Sequence, residues 1–284
     1  MNGRVVPGSR ASVSAFDRGF LYADGLFETL RSYRGEPFGL DDHLDRLDRS
    51  CQVLGIRLPR TDWPGRIRKL LARNRLLRVD ARVRITVTRG PAPLGLPPPA
   101  GQAPTTVVHA VPIDPTIPRA QERGGRAVLL PYTRNGFLAE HKTLDYLPAI
   151  LAQPIIRRHR AIEGLYVNEK KHVTEATTAN FFVVWRGRLV TPPLESILAG
   201  IVRERVLELG RAAGLQVFER PVPVDKLGEV EEAFLTSSVV EVLPIVRIDE
   251  RPVGSGKVGP VTRQMQTLYR ELVKTRLASA TGRG

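Results

Sequence analysis

The feature that most restricts the fold is a repeated change, along the whole chain, between two spacings of apolar residues. The clearest two-residue spacing lies at 82–88, where apolar and polar residues alternate as in a half-buried strand. A 3.6-residue spacing follows Asp41 and Asp42, two acids suited to capping a helix. A chain that alternates between strands and helices without an internal repeat belongs to the α/β or α+β class.

The same patterns predict the other elements. Further strands are expected at 3–7, 11–16, 25–33, 105–111, 127–130, 164–167, 180–185 and 232–236, and further helices at 64–76, 143–160, 202–213 and 261–277. A length of 284 residues fits two domains of ordinary size. The proline-spaced segment 112–118 is the predicted linker, which gives a small N-terminal α/β domain at 1–116 and a larger domain at 117–284.

The charge of the chain is carried by dispersed arginine. The formal net charge is +14, and only seven of the 43 basic residues are lysine. A nucleic-acid surface would concentrate cations in a stripe with aromatic residues, whereas the densest run here is Arg157-Arg158-His159-Arg160. This run is interpreted as a solvated helix face, so a basic nucleic-acid-binding protein is only a remote alternative.

Other broad classes find little support. The lone cysteine, Cys51, cannot form a disulfide within the chain and is expected to be buried and inert. No apolar stretch reaches the roughly eighteen residues that a membrane span needs, so we expect a cytoplasmic protein with no membrane partner. The sequence has no P-loop, no dinucleotide fingerprint, no nucleophile elbow and no His/Cys spacing typical of a metal site.

One lysine has an unusual setting. Lys142 follows a loop and precedes the predicted helix that Leu144 helps to define, so its amine is expected at a helix start. There the helix dipole and partial burial both favour the neutral amine, which is the form that reacts with an aldehyde. The alternative is an ordinary surface lysine.

Several other residues are candidates for binding a ligand, although each has a structural explanation as well. Gly200 precedes a predicted helix whose free N–H groups could bind phosphate, and Ser237 and Ser238 end a strand with hydroxyl groups. Arg46 lies on a helix where a surface arginine is the default interpretation. Glu175 lies at the start of a buried strand, where a carboxylate is costly unless it is paired.

Together these segments resemble one known family, the class IV pyridoxal-phosphate enzymes. This family includes branched-chain and D-amino acid aminotransferases, (R)-selective amine transaminases and aminodeoxychorismate lyase. The resemblance runs from about Phe16 to Pro244 through six motifs in family order. These motifs are residues 16–29, His43-Leu44-Asp45-Arg46-Leu47, Lys142-Thr143-Leu144-Asp145-Tyr146-Leu147, Val173-Thr174-Glu175 with Asn180-Phe181-Phe182, Ile197-Leu198-Ala199-Gly200-Ile201-Val202-Arg203 and residues 237–244.

The resemblance implies a fold, a cofactor and an assembly. It implies a two-domain fold-type IV enzyme with a small N-terminal α/β domain and a larger, barrel-like, cofactor-binding C-terminal domain. The cofactor, pyridoxal 5'-phosphate, would lie between the domains. The resemblance also implies a homodimer.

It further implies roles for individual residues. Lys142 would be the catalytic lysine that holds the cofactor and moves the proton, and Glu175 would lie beside the pyridine nitrogen. The other implied cofactor-binding residues are Arg46, Ile201, Val202, Ser237 and Ser238 for the phosphate, and Tyr146 for the phenolic oxygen. The implied substrate-binding residues are Arg84, Phe27, Leu96 and Val239.

The chain departs from the family pattern at several positions. Ala176 stands where glycine is common, Asp145 where asparagine is common, and Val202 where a threonine would supply a hydroxyl to the phosphate. Leu94-Gly95-Leu96 replaces the Arg-x-His pair of bacterial D-amino acid aminotransferases.

The main expected activity is transfer of an amino group between an amino acid or amine and a 2-oxo acid, in a branched-chain-like or D-amino-acid-like enzyme. The alternative within the family is an aminodeoxychorismate lyase, which would serve the synthesis of 4-aminobenzoate and folate.

Overall fold

A computed structural model describes residues 1–98, 100–133 and 136–281. The helices are α1 (Arg18–Tyr22), α2 (Leu40–Leu54), α3 (Trp63–Arg73), α4 (Ile117–Arg123), α5 (Gly136–Ala139), α6 (Leu147–Arg158), α7 (Ile201–Ala212) and α8 (Pro260–Thr281). The strands are β1 (Gly25–Tyr33), β2 (Glu36–Pro37), β3 (Ala81–Thr88), β4 (Thr105–Pro112), β5 (Gly125–Leu129), β6 (Glu163–Val167), β7 (His172–Ala176), β8 (Asn180–Trp185), β9 (Arg188–Thr191), β10 (Val217–Glu219), β11 (Val222–Pro223), β12 (Glu232–Ser237), β13 (Glu241–Ile248) and β14 (Arg251–Pro252). The predicted mixed α/β class is confirmed.

The chain forms two compact units, and the first is discontinuous. Unit 1 consists of Met1–Ile113 and His141–Tyr146, and unit 2 of Asp114–Glu140 and Leu147–Gly284. The division after Ile113 falls within the proline-spaced segment that suggested a linker, and α4 begins inside that segment. A single boundary between 116 and 117 assigns residues 141–146 to the second domain, whereas their contacts place them in unit 1.

Unit 1 is built on an antiparallel sheet in the order β2-β1-β3-β4. The alternation in β1 and β3 places one apolar face, which includes Leu30 and Ile85, against α2 and α3. Leu47 and Ile67 from these helices complete the core. The predicted strand at 25–33 is confirmed at both ends.

The segment that contains Lys142 pairs with β1 instead of starting a helix. The Phe27 N–H donates to the Lys142 carbonyl at 2.9 Å, and the Leu144 N–H donates to the Gly25 carbonyl at 3.1 Å. A Cβ at Gly25 would lie 2.8 Å from Leu144 Cδ1, so the close approach requires glycine. The helix predicted from 143 begins only at Leu147, because the residues before it use their backbone groups to pair with β1.

Unit 2 is built on a ten-stranded sheet in the order β10-β9-β8-β12-β13-β5-β6-β7-β11, with β14 on β13. An additional pairing between β7 and β8 closes six of these strands, β8, β12, β13, β5, β6 and β7, into a ring. Apolar residues such as Leu165, Phe181 and Leu235 fill the core of this unit. The predicted barrel-like domain is confirmed.

Three further local predictions were wrong. The segments 3–7 and 11–16 are not strands: most of their residues are exposed, and neither segment joins one of the sheets in the described part of the chain. Without a partner strand an extended segment has no ladder of hydrogen bonds to keep it regular. Asp41 and Asp42 do not cap α2, because the helix begins at Leu40 and both acids lie in its first turn.

Asp17 ties α1 to the sheet of unit 1, and this contact generates a stability prediction. Its fully buried carboxylate accepts hydrogen bonds from the Gly19 N–H at 2.8 Å, the Thr88 hydroxyl at 3.0 Å and the Thr105 hydroxyl at 2.6 Å. Asp17→Ala removes a helix cap and leaves two buried hydroxyls without this acceptor, so we expect a loss of about 3 kcal/mol in the free energy of unfolding, measured by urea denaturation.

The matched control is Asp62→Ala. Asp62 caps α3 through the Gly65 N–H at 2.9 Å, but its side chain is exposed. We expect it to cost only about 1 kcal/mol. Equal losses for the two variants would show that the buried hydroxyls add nothing.

Candidate active site

Phe27 is the point at which three of the candidate residues of unit 1 meet. Its ring lies edge-on to Tyr146 with 5.2 Å between centroids. The Lys142 Nζ is 4.6 Å from the Phe27 centroid, and the Arg84 Cζ is 3.5 Å from it. Residues that lie far apart in the sequence are thus gathered on one face of β1 and β3, as expected for a binding site.

The position of Lys142 is set by strand pairing on one side and by α2 on the other. Its carbonyl accepts the Phe27 N–H, and the neighbouring His141 Nδ1 lies 3.1 Å from the Ser50 hydroxyl of α2. The predicted location at a helix start was wrong, because α6 begins only at Leu147. The half-buried Lys142 side chain lies beside the Phe27 ring instead.

Arg84 projects from the polar face of β3, as the alternation of this strand predicts. It is half-buried, and its Nε donates to the Thr86 hydroxyl at 3.3 Å. His109 lies opposite it on β4. Burial lowers the pKa of His109, and the charges of Arg84 and Arg82 lower it further, so this imidazole is neutral beside a cationic arginine.

A buried ionic cluster lies on the opposite face of β1 from Phe27. Glu28 Oε1 accepts from Arg46 Nε at 2.7 Å, and Oε2 accepts from Arg46 Nη2 at 2.7 Å. His43 Nδ1 lies 2.6 Å from the same Oε2. Arg46 is therefore buried, and not the surface residue of the default interpretation.

The charge state of this cluster follows from its contacts. Burial alone would raise the pKa of Glu28, but the charges of Arg46 and His43 and their hydrogen bonds outweigh burial and hold this pKa well below its usual range. Burial lowers the pKa of His43, and Glu28 only partly offsets this. Because an ionised Glu28 can only accept, His43 must donate to it from Nδ1.

Sequence reasoning assigned no role to Glu28 and His43, although both lie in motifs that resemble the family. The signal that could have found Glu28 is its place in the strand alternation, because it shares the apolar face of β1 with Leu26 and Leu30. A charge on a core-facing position needs a partner. The helical spacing of α2 would then have pointed to His43 and Arg46.

Leu96 lies in a loop that Arg18 holds in place. Arg18 Nη1 donates to the Gly95 carbonyl at 2.8 Å, and Nη2 donates to the Leu96 carbonyl at 3.0 Å. The Nε of the same guanidinium pairs with Asp24 at 2.7 Å. The side chains of Leu94 and Leu96 are 70% and 76% exposed, so the loop presents two apolar residues outward while its backbone is fixed.

In unit 2, Glu175 is connected to the segment that leads into α7. It is buried in β7, and its Oε2 accepts the Leu198 N–H at 3.1 Å. Asn180, paired with Glu175 across β7 and β8, donates from Nδ2 to the Leu198 carbonyl at 2.9 Å. A Cβ at Gly200 would lie 1.9 Å from Asn180 Oδ1, so only glycine fits there. These contacts place the carboxylate and the start of α7 in one rigid arrangement.

The turn between β7 and β8 is fixed by a second buried carboxylate. Glu163 accepts hydrogen bonds from the Thr177 and Thr178 hydroxyls and from the Gly164 N–H at 3.2 Å. Burial raises the pKa of Glu163, and these hydrogen bonds only partly offset the increase. Sequence reasoning did not single out Glu163, because its partners become neighbours only when β6, β7 and β8 pair.

The remaining candidates of unit 2 lie at a helix start and in a hairpin turn. Ile201 and Val202 begin α7, and Gly200 precedes them without a side chain capping the first turn in the described residues. Ser237 ends β12, and Ser238 and Val239 lie half-buried in the turn that leads to β13. The first turn of α7 thus offers backbone N–H groups, and the hairpin turn offers hydroxyls.

Metal-binding and membrane-spanning features are missing from residues 1–98, 100–133 and 136–281. These residues contain no group of three or more His, Cys, Asp and Glu side chains that could hold a metal ion. They also contain no helix that is both long and apolar enough to cross a membrane.

Known proteins of one family match almost the whole chain. The family model for amino-transferase class IV matches residues 25–248. The chain is 34% identical over 278 residues to a putative branched-chain-amino-acid aminotransferase of Methanocaldococcus jannaschii, covering 96% of this chain and 95% of that protein. It is 31% identical to D-alanine aminotransferase of Bacillus licheniformis, covering 98% of this chain and 97% of that protein. It is 32% identical to aminodeoxychorismate lyase of Bacillus subtilis, covering 100% of this chain and 97% of that protein.

Solved structures show the same fold. The branched-chain aminotransferase of Thermoproteus uzoniensis, solved with norvaline, aligns with a TM-score of 0.84 and 28% identity over 96% of this chain and 93% of that one. A branched-chain amino acid aminotransferase complexed with N-(5'-phosphopyridoxyl)-L-glutamate aligns with a TM-score of 0.87 and 26% identity over 97% of this chain and 93% of that one. The fold and the matched motifs define a fold-type IV enzyme. The chain belongs to the class IV aminotransferase family.

The buried Glu163 generates a pH prediction. Because its pKa is higher in the folded than in the unfolded chain, the stability it contributes is complete below the ordinary carboxyl pKa and is lost as the pH rises through the folded pKa. The free energy of unfolding of the native chain should therefore fall relative to that of Glu163→Gln as the pH rises from about 4. The fall should be about 1.4 kcal/mol for each pH unit that separates the pKa of Glu163 in the folded chain from its pKa in the unfolded chain.

Urea denaturation across this pH range measures the difference. The control is Glu169→Gln, at an exposed position in the turn between β6 and β7, which should show no such trend. A native chain that gains stability over Glu163→Gln as the pH rises would contradict the assignment.

Proposed function

We propose that this chain is an aminotransferase that uses pyridoxal 5'-phosphate to move an amino group from an amino acid to a 2-oxo acid, with a preference for apolar, branched-chain-like substrates. The observation that carries the proposal is the convergence of Lys142, Tyr146 and Arg84 on Phe27. An amine, a phenol and a guanidinium around one aromatic ring supply a nucleophile, a hydrogen-bond donor and a carboxylate-binding group.

The residues present fit the cofactor. Its pyridine nitrogen requires an anion, and Glu175 supplies a buried carboxylate held by the Leu198 N–H. Its phosphate requires cations and N–H donors. Arg46 of unit 1 would supply a cation, and the first turn of α7 in unit 2 would supply N–H groups. When bound, pyridoxal phosphate supplies an electron sink for the negative charge left on the substrate when its α-proton departs.

Each unit contributes a group of proposed residues. In unit 1, Lys142 would hold the cofactor covalently, Tyr146 would donate to its phenolic oxygen and Arg46 would bind its phosphate. In unit 2, Glu175 would keep the pyridine nitrogen protonated. The remaining proposed phosphate contacts in unit 2 are Ile201, Val202, Ser237 and Ser238.

The proton transfer is assigned to one atom. With the cofactor bound, the Lys142 Nζ would take the α-proton of the substrate and pass it to the cofactor carbon that carries the substrate nitrogen, and water would then release the 2-oxo acid. The segment 141–146 keeps the Lys142 Nζ close to the Phe27 ring, because the backbone of the segment forms two hydrogen bonds with β1. A different 2-oxo acid would then accept the amino group by the same steps in reverse.

The substrate preference rests on the residues proposed to contact substrate. Arg84 binds the carboxylate, and Phe27, Leu96 and Val239 provide apolar contacts. Arg18 fixes the backbone of the loop that presents Leu96, and the stretch 94–96 contains only leucine and glycine. Such a loop suits an apolar side chain better than a second carboxylate.

The alternative is the lyase reaction, which would release pyruvate and an aromatic amine from aminodeoxychorismate. The 32% identity to the Bacillus subtilis lyase over 288 residues favours testing this activity as well. We also propose a homodimer in the cytoplasm, on the basis of the family resemblance.

The covalent role of Lys142 is tested by reduction. Borohydride treatment of the protein with pyridoxal phosphate should fix the cofactor on Lys142, as seen by peptide mass spectrometry, because no other lysine lies beside Phe27 in the described residues. Lys142→Ala should lose the fixed cofactor and lose activity by at least about a thousandfold. A Lys142→Ala variant that still fixes the cofactor at full occupancy would refute the assignment, and Lys69→Ala, on the exposed face of α3, is the control.

Transfer and elimination differ in their products. Mixed with leucine and no acceptor, a transferase should release one equivalent of the corresponding 2-oxo acid per active site and then stop, because the cofactor retains the amino group. A lyase should instead turn over aminodeoxychorismate repeatedly to pyruvate and 4-aminobenzoate. Product analysis by chromatography distinguishes them, and repeated turnover of aminodeoxychorismate without a 2-oxo acid burst from leucine would overturn the transferase proposal.

A further inference from the structure

We propose that Glu28 is a positioning residue that fixes the guanidinium of Arg46 in the orientation that binds the cofactor phosphate. The inference rests on the proposed function, and it assigns a role to a residue that contacts neither substrate nor cofactor in this scheme. The observation behind it is the two-point contact between a strand carboxylate and a helix arginine inside unit 1.

The contact defines the plane of the guanidinium. Arg46 Nε and Nη2 donate to different oxygens of Glu28, each at 2.7 Å. Two parallel bonds between planar groups fix both the position and the rotation of the arginine head group. Arginine otherwise has many side-chain rotamers, so this contact removes the freedom that a phosphate would have to remove on binding.

Glu28 is itself held firmly. It lies on β1, which pairs with β3 along most of its length, and its carboxylate is almost completely buried. His43 Nδ1 approaches the same Oε2 that accepts from Arg46 Nη2. The carboxylate is therefore fixed by two residues of α2 as well as by its own strand.

The negative charge of Glu28, taken alone, would weaken cofactor binding, whereas the orienting contact strengthens it. The Glu28 carboxylate cancels the positive charge of Arg46, and this weakens the attraction of Arg46 for a phosphate dianion. If net charge decided the affinity, loss of the Glu28 charge would tighten cofactor binding. If orientation decides it, the same change weakens binding, so the sign of the effect separates the two explanations.

The experiment compares two aldehydes that differ only in the phosphate group. Dissociation constants of the apoprotein for pyridoxal phosphate and for pyridoxal are measured by absorbance titration for the native chain and Glu28→Gln. We expect Glu28→Gln to weaken the binding of pyridoxal phosphate at least about tenfold, the effect of losing one hydrogen bond to a charged group. The affinity for pyridoxal should change less than about twofold, because Lys142 and Glu175 are untouched.

Two further variants serve as controls, one for misfolding and one for a general effect of removing a negative charge. Glu28→Asp keeps the charge but is too short to reach both arginine nitrogens, so it should also weaken pyridoxal phosphate binding selectively. Glu36→Gln removes the carboxylate of an exposed ion pair with Arg68, 2.6 Å long in the same unit, and should change the affinity for neither aldehyde.

A coupling measurement identifies the group through which Glu28 acts. In an Arg46→Ala background, Glu28→Gln should change the affinity for pyridoxal phosphate less than about twofold, since no guanidinium remains to be positioned.

The contrary outcomes are distinct. Unchanged or tighter binding of pyridoxal phosphate by Glu28→Gln, or equal weakening of both aldehydes, overturns the positioning role while the proposed function stands. If the native chain binds neither aldehyde, the proposed function fails and the positioning role fails with it.

Discussion

The pairing of residues 141–146 with β1 is the constraint on which the candidate site of unit 1 depends. Two backbone hydrogen bonds, between Phe27 and Lys142 and between Leu144 and Gly25, return a distant segment to the first sheet. Gly25 permits the approach because any Cβ there would collide with Leu144 and with the Val87 carbonyl. With the backbone fixed in this way, the Lys142 amine and the Tyr146 ring are both placed against Phe27 by ordinary side-chain lengths.

Local patterns are enough to predict most elements, and contacts between distant segments account for the failures. The alternation at 25–33 and 82–88 is intrinsic to those residues, so both strands follow from the sequence. The late start of α6 depends on a partner strand far earlier in the chain, which no local pattern contains. For the same reason the sequence singles out Lys142 on a helix-start argument that the structure does not support.

The contacts of the buried charged residues also depend on distant segments and do not follow from local sequence patterns. Arg46 is assigned a role through a family motif, whereas its partner Glu28 lies in another motif without a role, because the motifs carry no information about which carboxylate neutralises the arginine. The contacts of Glu163 with its threonines depend on the pairing of three strands. The abundant arginine is also better understood from the structure: Arg18, Arg89 and Arg203 each bond both a carboxylate and backbone carbonyls inside the fold. These three arginines thus serve internal contacts.

The discontinuity of unit 1 has a consequence for the order of biosynthesis. Its two parts, Met1–Ile113 and His141–Tyr146, are separated by a stretch that belongs to unit 2. During translation the sheet of unit 1 can therefore form before residues 141–146 have been made. Until then the Gly25 carbonyl and the Phe27 N–H of β1 lack their partners in that segment and are open to water. The emerging chain completes the small unit only after it has started the large one, so placement of Lys142 is coupled in time to the folding of both.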